Sequence, residues 1–169
     1  LPNVGSGKNA VYNSVDAALW FIWAIQQYIK HAAPGDIWKQ YGKYIKHILD
    51  YYKKGTMHNI KMDNDYLINA GEDGYALTWM DSVVDGKPVT PRKGKAVEIY
   101  ALWYNAVCFA EELATLAGDN EFIDNWKGYE ENIKTSFITT FWDEQKSYLA
   151  DCVDGEHKDW SLRPNQIFA

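Results

Sequence analysis

The chain has little cysteine, little histidine, no excess of positive charge and no long apolar run. Each scarcity removes a class of function. Two cysteines, Cys108 and Cys152, do not make a disulfide framework. Cys108 falls inside a helical apolar pattern, which reads as a buried thiol in a reducing cytoplasm. The four histidines, at 31, 47, 58 and 157, never approach zinc-ligand spacing, so no metal or other cofactor is expected. A net charge of −6 with scattered Lys and Arg argues against nucleic acid, whose phosphates require clustered cations. The apolar run ALWFIWAI at 18–25 is shorter than the roughly 18 to 20 residues of a bilayer span, so no membrane partner is expected. It also lacks the basic leader and cleavage site of a signal peptide.

What the sequence has in abundance is aromatic side chains, 15% of all residues, with eight Trp and twelve Tyr. Ring faces stack on the C–H faces of sugars, while interleaved Asp, Glu, Asn and Arg bind hydroxyls, so the composition leans towards carbohydrate. At 169 residues, 47% apolar and 24% charged, the chain is globular and about the size of one domain or part of one.

Helical periodicity organises most of it. After Asn13-Ser14, either of which can cap a helix, Ala17, Leu19, Trp20, Ile22, Trp23, Ala24 and Ile25 cover most of a circumference, predicting a helix buried on nearly all sides. Pro34-Gly35-Asp36 reads as a stop and a new start. Ile37, Tyr41, Tyr44, Ile45, Ile48, Leu49 and Tyr52 then recur at three and four, opposite Lys39, Lys43, Lys46 and Lys53. A third helix, about 95–116, is apolar again, and a fourth, about 120–141, is amphipathic. This buried-wet-buried-wet alternation predicts an all-α fold, part of an (α/α)6 toroid in which an inner ring of helices is enclosed by an outer ring. Two long connections, 59–94 and 143–165, exceed ordinary helix–helix loops and are candidates for function. Both follow an outer helix, so both are expected at one end, with short strands at Tyr75 to Trp79 and Tyr148 to Asp151.

Other motifs fail on inspection. GSGKN at 5–9 has Asn where a phosphate-binding loop needs Ser or Thr. DNDYLINAGEDG at 63–74 has Ile68 where a calcium loop needs Gly, and no Ser sits in a nucleophile elbow.

Three blocks remain: YNSVDAALWF at 12–21, LTWMDSVVDGKPVTPRKGKAVEIYALWYNA at 77–106 and SLRPNQIFA at 161–169. In this order and spacing they resemble the glucosidase domain of glycogen debranching enzymes, the amylo-α-1,6-glucosidase family. The resemblance implies an (α/α)6 barrel that hydrolyses α-1,6-linked glucose at branch points of glycogen or a related α-glucan, with inversion at the anomeric carbon. It also implies site residues. Asp81 matches the general acid, while Asp16, Trp20, Trp79, Arg92, Glu98, Trp103 and Asn105 match positions around the terminal glucose, and Arg163, Asn165 and Gln166 open the next inner segment.

Each of these residues also has a structural reading. Asp81 can cap a turn before Ser82, Arg92 and Glu98 can simply pair, Trp20 and Trp103 can be core, and Arg163 can brace a loop. An acid set among aromatic rings is partly desolvated, which keeps its proton nearer neutral pH. Inversion further needs a second carboxylate, roughly 6.5 to 9.5 Å away, to activate water. No position matches that base, and only about four helices of the six hairpins are legible, so the 169 residues are expected to be an inactive part of a catalytic domain whose apolar faces drive self-association. Two other classes stay open: a non-catalytic helical carbohydrate-binding or interaction module, and another (α/α)6 glycosidase.

Overall fold

Residues 97–117 contain neither Gly nor Pro and carry few charges, and they form the hub of the molecule, α3 (Val97–Ala117). The computed structural model describes residues 5–31 and 36–169; among them α3 packs against α1 (Ala17–His31), α2 (Ile37–Lys54), α4 (Asn120–Trp126) and α5 (Tyr129–Phe141). It is buried over most of its surface, with Ala101, Tyr104, Asn105 and Cys108 half-buried along one face and Leu116 exposed near its end. Gly118 ends it in the left-handed conformation, returning its N–H to the carbonyls of Ala114 and Thr115.

The second helix follows the periodicity except at Tyr44, which is exposed. Asp36 caps α2 by accepting from the Lys39 N–H at 2.9 Å, and Ile37, Ile45, Leu49 and Tyr52 form its buried stripe while Lys39 and Lys43 face water. Pro34-Gly35 lies outside the described residues.

Three expectations need correction. Helix α1 buries only the stripe Leu19, Ile22 and Ile25, because its neighbours here are α2 and α3 on one side; Trp23 and Tyr28 on the other are exposed. The buried-wet alternation therefore holds for α2 and α3 but not for α1. Residues 120–141 form two helices rather than one, since the chain turns at Lys127-Gly128, where Gly128 takes φ 84°. And Tyr75 to Trp79 is irregular, tied in by the Val15 N–H on the Leu77 carbonyl at 2.8 Å rather than by a strand partner.

Strands are short and lie within the two long connections or at their edges. Two hairpins lie in the first, β1 (Lys61–Met62) with β2 (Ile68–Asn69) and β3 (Val83–Val84) with β4 (Lys87–Pro88). After them comes β5 (Lys95–Ala96). The second holds β6 (Trp142–Asp143) with β7 (Tyr148–Leu149), then β8 (Cys152–Asp154) and β9 (His157–Asp159), so the predicted strand at Tyr148 is present but stops at Leu149. A 3-10 helix, Pro164–Phe168, follows.

One sheet joins the two connections. Strand β5 pairs antiparallel with β8 in the register Lys95↔Val153 and Ala96↔Cys152, and β9 adds to the far edge of β8. Gly94 makes the approach possible: at φ 95° its missing Cβ would stand 2.4 Å from the Val153 carbonyl oxygen. Both long connections thus meet at one end of the helices, which gathers residues distant in sequence. No helix among the described residues is long and apolar enough to cross a membrane.

Candidate functional site

The junction of the two connections is built on Arg92. Its Nε donates to Asp151 Oδ2 at 2.9 Å, its Nη2 to Glu98 Oε2 at 2.6 Å and to the Asp151 carbonyl at 3.1 Å, and its Nη1 to Glu98 Oε1. Glu98 sits in the first turn of α3, and Asp151 is 0% exposed just before β8. Asp151 also accepts from Arg163 Nη1 at 2.7 Å and Asn165 Nδ2 at 2.8 Å, while Arg163 Nη1 reaches Asp159 Oδ2 at 2.6 Å. Burial alone would lower the Arg92 pKa, but hydrogen bonding to Glu98 and the charges of Glu98 and Asp151 outweigh it and raise it. For Asp159 burial again opposes the charge, and the hydrogen bonds from Arg163 and Ser161 overcome it, holding the carboxyl at about 2. Among the described residues no buried side-chain nitrogen or oxygen lacks a partner.

Above this base stands a rim. Asn165 Oδ1 accepts from Trp79 Nε1 at 2.9 Å, leaving the indole half in water, 50% exposed. Two residues further on, Asp81 is exposed and opens the β3–β4 hairpin, whose Val83 and Val84 are exposed as well. The desolvation expected of an acid set among rings is not supplied here, because the chain leaves the surface of the base at Met80. The crevice beneath, lined by Thr78, Met80 and Arg92 among others, measures only about 10 Å³, room for about one water. A larger apolar groove, about 420 Å³ between α3 and α5, contains none of the candidate residues.

The other predicted residues divide. Gln166 braces the loop through Nε2, which donates to the Leu149 carbonyl at 2.7 Å. Asp16 is buried just before α1 and accepts from Ser14 Oγ; the N–H of its neighbour Val15 donates to the Leu77 carbonyl, two residues before Trp79. Trp20 is half-buried and packs edge-on against Trp23 and Phe168. Trp103 stands elsewhere, 0% exposed, its Nε1 on the Tyr66 carbonyl at 3.1 Å and its ring against Tyr52 and Trp126. No face of it is open to a sugar. Asn105, on the same helix, is half-buried and makes no hydrogen bond to the Arg92 cluster. The structural readings of the Arg92–Glu98 pair, of Trp103 and of Arg163 as a brace are what the structure shows. Cys108 is half-buried rather than buried; burial pushes its thiol up to about 11 and that of Cys152 up to about 12, so both stay protonated at neutral pH.

Sequence reasoning missed Asp151. Its partners Arg92 and Arg163 are 59 and 12 residues away, so no local spacing announces it. Asp159 carried a weak signal, four residues before Arg163. Chemically, the base is spent: the oxygens of Glu98 and Asp151 are engaged by guanidinium and amide donors away from water, so neither can take a proton from a nucleophile. Of the three carboxylates named from the sequence, Asp16 and Glu98 are buried and Asp81 is exposed.

A search of curated proteins finds no match. Among solved structures, a GH78 family rhamnosidase of Bacillus sp. GL1 superposes with a TM-score of 0.64 at 20% identity, over 90% of this chain. At that identity the likeness speaks for the fold. The chain spans 15% of the length of that enzyme. The family model described as amylo-alpha-1,6-glucosidase matches residues 1–169, the whole sequence, and carries the three blocks at 12–21, 77–106 and 161–169 with it: the chain belongs to the amylo-alpha-1,6-glucosidase family.

Proposed function

We propose that this chain is part of a glycoside hydrolase that removes α-1,6-linked glucose at branch points of glycogen or a related α-glucan, with inversion, and that Asp81 is its general acid. The observation that carries the reading is the contrast in commitment: Glu98 and Asp151 are locked to arginine, whereas Asp81 stands exposed two residues beyond a half-exposed Trp79. Asp81 would protonate the leaving oxygen as the bond breaks, with the sugar ring lying on Trp79 and itself displacing water from the acid. Inversion needs a second carboxylate roughly 6.5 to 9.5 Å away to activate water. We assign that base to protein beyond these residues, within an (α/α)6 toroid of which α1 to α5 are one part. On this reading the isolated chain is inactive, and its exposed Trp23, Tyr28 and Leu116 favour self-association.

The half-exposed indole of Trp79 also suits a second reading, a module that binds glucan without cleaving it. One experiment separates them. In the intact protein, Asp81→Asn removes the donor and keeps the shape; the natural substrate should slow by about 10²- to 10⁴-fold, roughly 3 to 5 kcal/mol of barrier. Glucosyl fluoride, whose leaving group needs little protonation, should recover most of the rate. Equal slowing on both substrates would remove Asp81 from the acid role. No hydrolysis by the unaltered intact protein would favour the binding module.

A further inference from the structure

The indole of Trp79 is held at its Nε1 edge and half exposed, and the hold traces back to a buried carboxylate. We infer that Asp151 is a positioning residue which, acting through Asn165, fixes the plane of Trp79 against which a sugar ring rests; the inference builds on the glucan-hydrolase reading above.

Direction along the chain of hydrogen bonds makes the argument. An asparagine amide has an accepting and a donating end that exchange by a half-turn, and a carboxylate offers only acceptors. Asp151 Oδ1 therefore selects the Nδ2 end of Asn165, at 2.8 Å. That choice turns Asn165 Oδ1 towards Trp79, whose Nε1–H can only donate, at 2.9 Å. Reversing the amide would break both bonds together. Asp151 itself cannot yield, since Arg92 and Arg163 hold its side chain, its N–H donates to the Asp159 carbonyl at 2.8 Å and its carbonyl accepts from the Val97 N–H at 3.0 Å. Its surroundings are the end of β9 and the first turn of α3, so the geometry of this junction is passed outward to a side chain standing half in water. Asn165 is 0% exposed, and its second amide contact, to Met80 Sδ at 3.4 Å, lies next to Trp79 and helps keep the same orientation.

The test uses the intact protein labelled with 5-fluorotryptophan, with the Trp79 fluorine resonance identified by its loss in Trp79→Phe. In Asn165→Ala that resonance should shift and broaden while those of the other tryptophans hold. Asp151→Asn should give the same change or two resonances, because an amide at 151 no longer selects one end of Asn165. If Asp151→Asn does not fold, Asn165→Ala alone decides. On α-1,6-branched limit dextrin, Asn165→Ala and Trp79→Phe should each raise KM by about tenfold with kcat changed less than about twofold, and the double variant should be no worse than either single one. A Trp79 resonance unmoved by Asn165→Ala overturns the positioning role. Additive effects on KM overturn it as well, since the two residues would then act separately. A shifted resonance in a protein that turns over no glucan keeps the Asp151–Asn165–Trp79 linkage and overturns the glucan-hydrolase reading instead.

Discussion

The base and the rim of the junction differ in how their polar groups are treated. In the base, Arg92, Glu98, Asp151 and Asn165 are buried and each is answered by a partner; on the rim, Trp79 is half exposed and Asp81 wholly at the surface. The difference follows from electrostatics. An ion withdrawn from water costs several kcal/mol unless partners replace its hydration, so a buried charge survives only when it is saturated with bonds. A saturated acid holds geometry and does no proton transfer. An acid meant to exchange protons must instead keep a free oxygen, which places it at a surface that a substrate can cover.

The strongest way to break this comparison is to remove the cation from the base. Arg92→Met leaves Glu98 and Asp151 buried without the guanidinium that joins them, and truncating one partner of such a network costs about 3 to 5 kcal/mol. For a protein of this size the melting temperature should fall by roughly 6 to 20 °C. Arg92→Lys keeps the charge but not the fork that serves two carboxylates, and should recover only part of the loss. A drop under about 1 kcal/mol in calorimetry for Arg92→Met would mean the base is not the anchor argued here.

A smaller effect lies at the edge of the base, where Asp159 is about a quarter exposed and bonded to Arg163. Its carboxyl is held at about 2, below the ordinary value of about 3.9. A depressed acid contributes stability that is fully present above the unfolded value and lost as pH falls through the folded one. The contribution, about 1 kcal/mol for a pair open to solvent on one side, should therefore be intact above about pH 5 and fade between about pH 4 and 2. Asp159→Asn should lower stability at neutral pH and flatten that acid slope. An unchanged slope in urea titrations from pH 5 to 2 would show that Asp159 is not the group being protonated.

Much of the base could not have been read along the chain, for a physical reason. Periodicity reports burial by one helix face, and so it finds the Ile37, Ile45, Leu49 and Tyr52 stripe of α2 and the largely buried α3. It does not report which neighbour covers a face, and for α1 the pattern implied cover that α2 and α3 provide on one side only. Nor does a periodic run reveal a break when the apolar spacing continues across it, as at Gly128 between Trp126 and Tyr129. The Arg92–Asp151 pair depends on the β5–β8 register, a contact across 59 residues, and no spacing rule reaches that far. Trp79, Arg92, Glu98, Arg163 and Asn165 were named from family resemblance; their division into a braced base and an open rim came from the fold.

The smallest expected effect sharpens the comparison most, because it concerns the residue with the greatest expected effect on rate. Asp81→Ala should change folding stability by no more than about 0.5 kcal/mol, the usual range for an exposed side chain away from caps and networks. The alternative, that Asp81 caps the turn before Ser82, makes a different forecast: loss of a capping carboxylate costs about 0.5 to 2 kcal/mol and would be relieved by Asn, which also caps. The structure gives the turn its closure elsewhere, through the Val89 N–H on the Ser82 carbonyl at 2.9 Å and the Val83↔Pro88 and Val84↔Lys87 pairing with Asp85 and Gly86 at positive φ. Removing the carboxylate should therefore leave the hairpin closed. Thermal denaturation of the unaltered protein, Asp81→Ala and Asp81→Asn side by side decides between them: three coincident curves keep Asp81 as an acid free for chemistry, and a fall in Ala restored in Asn would return it to the structural class that the base already represents.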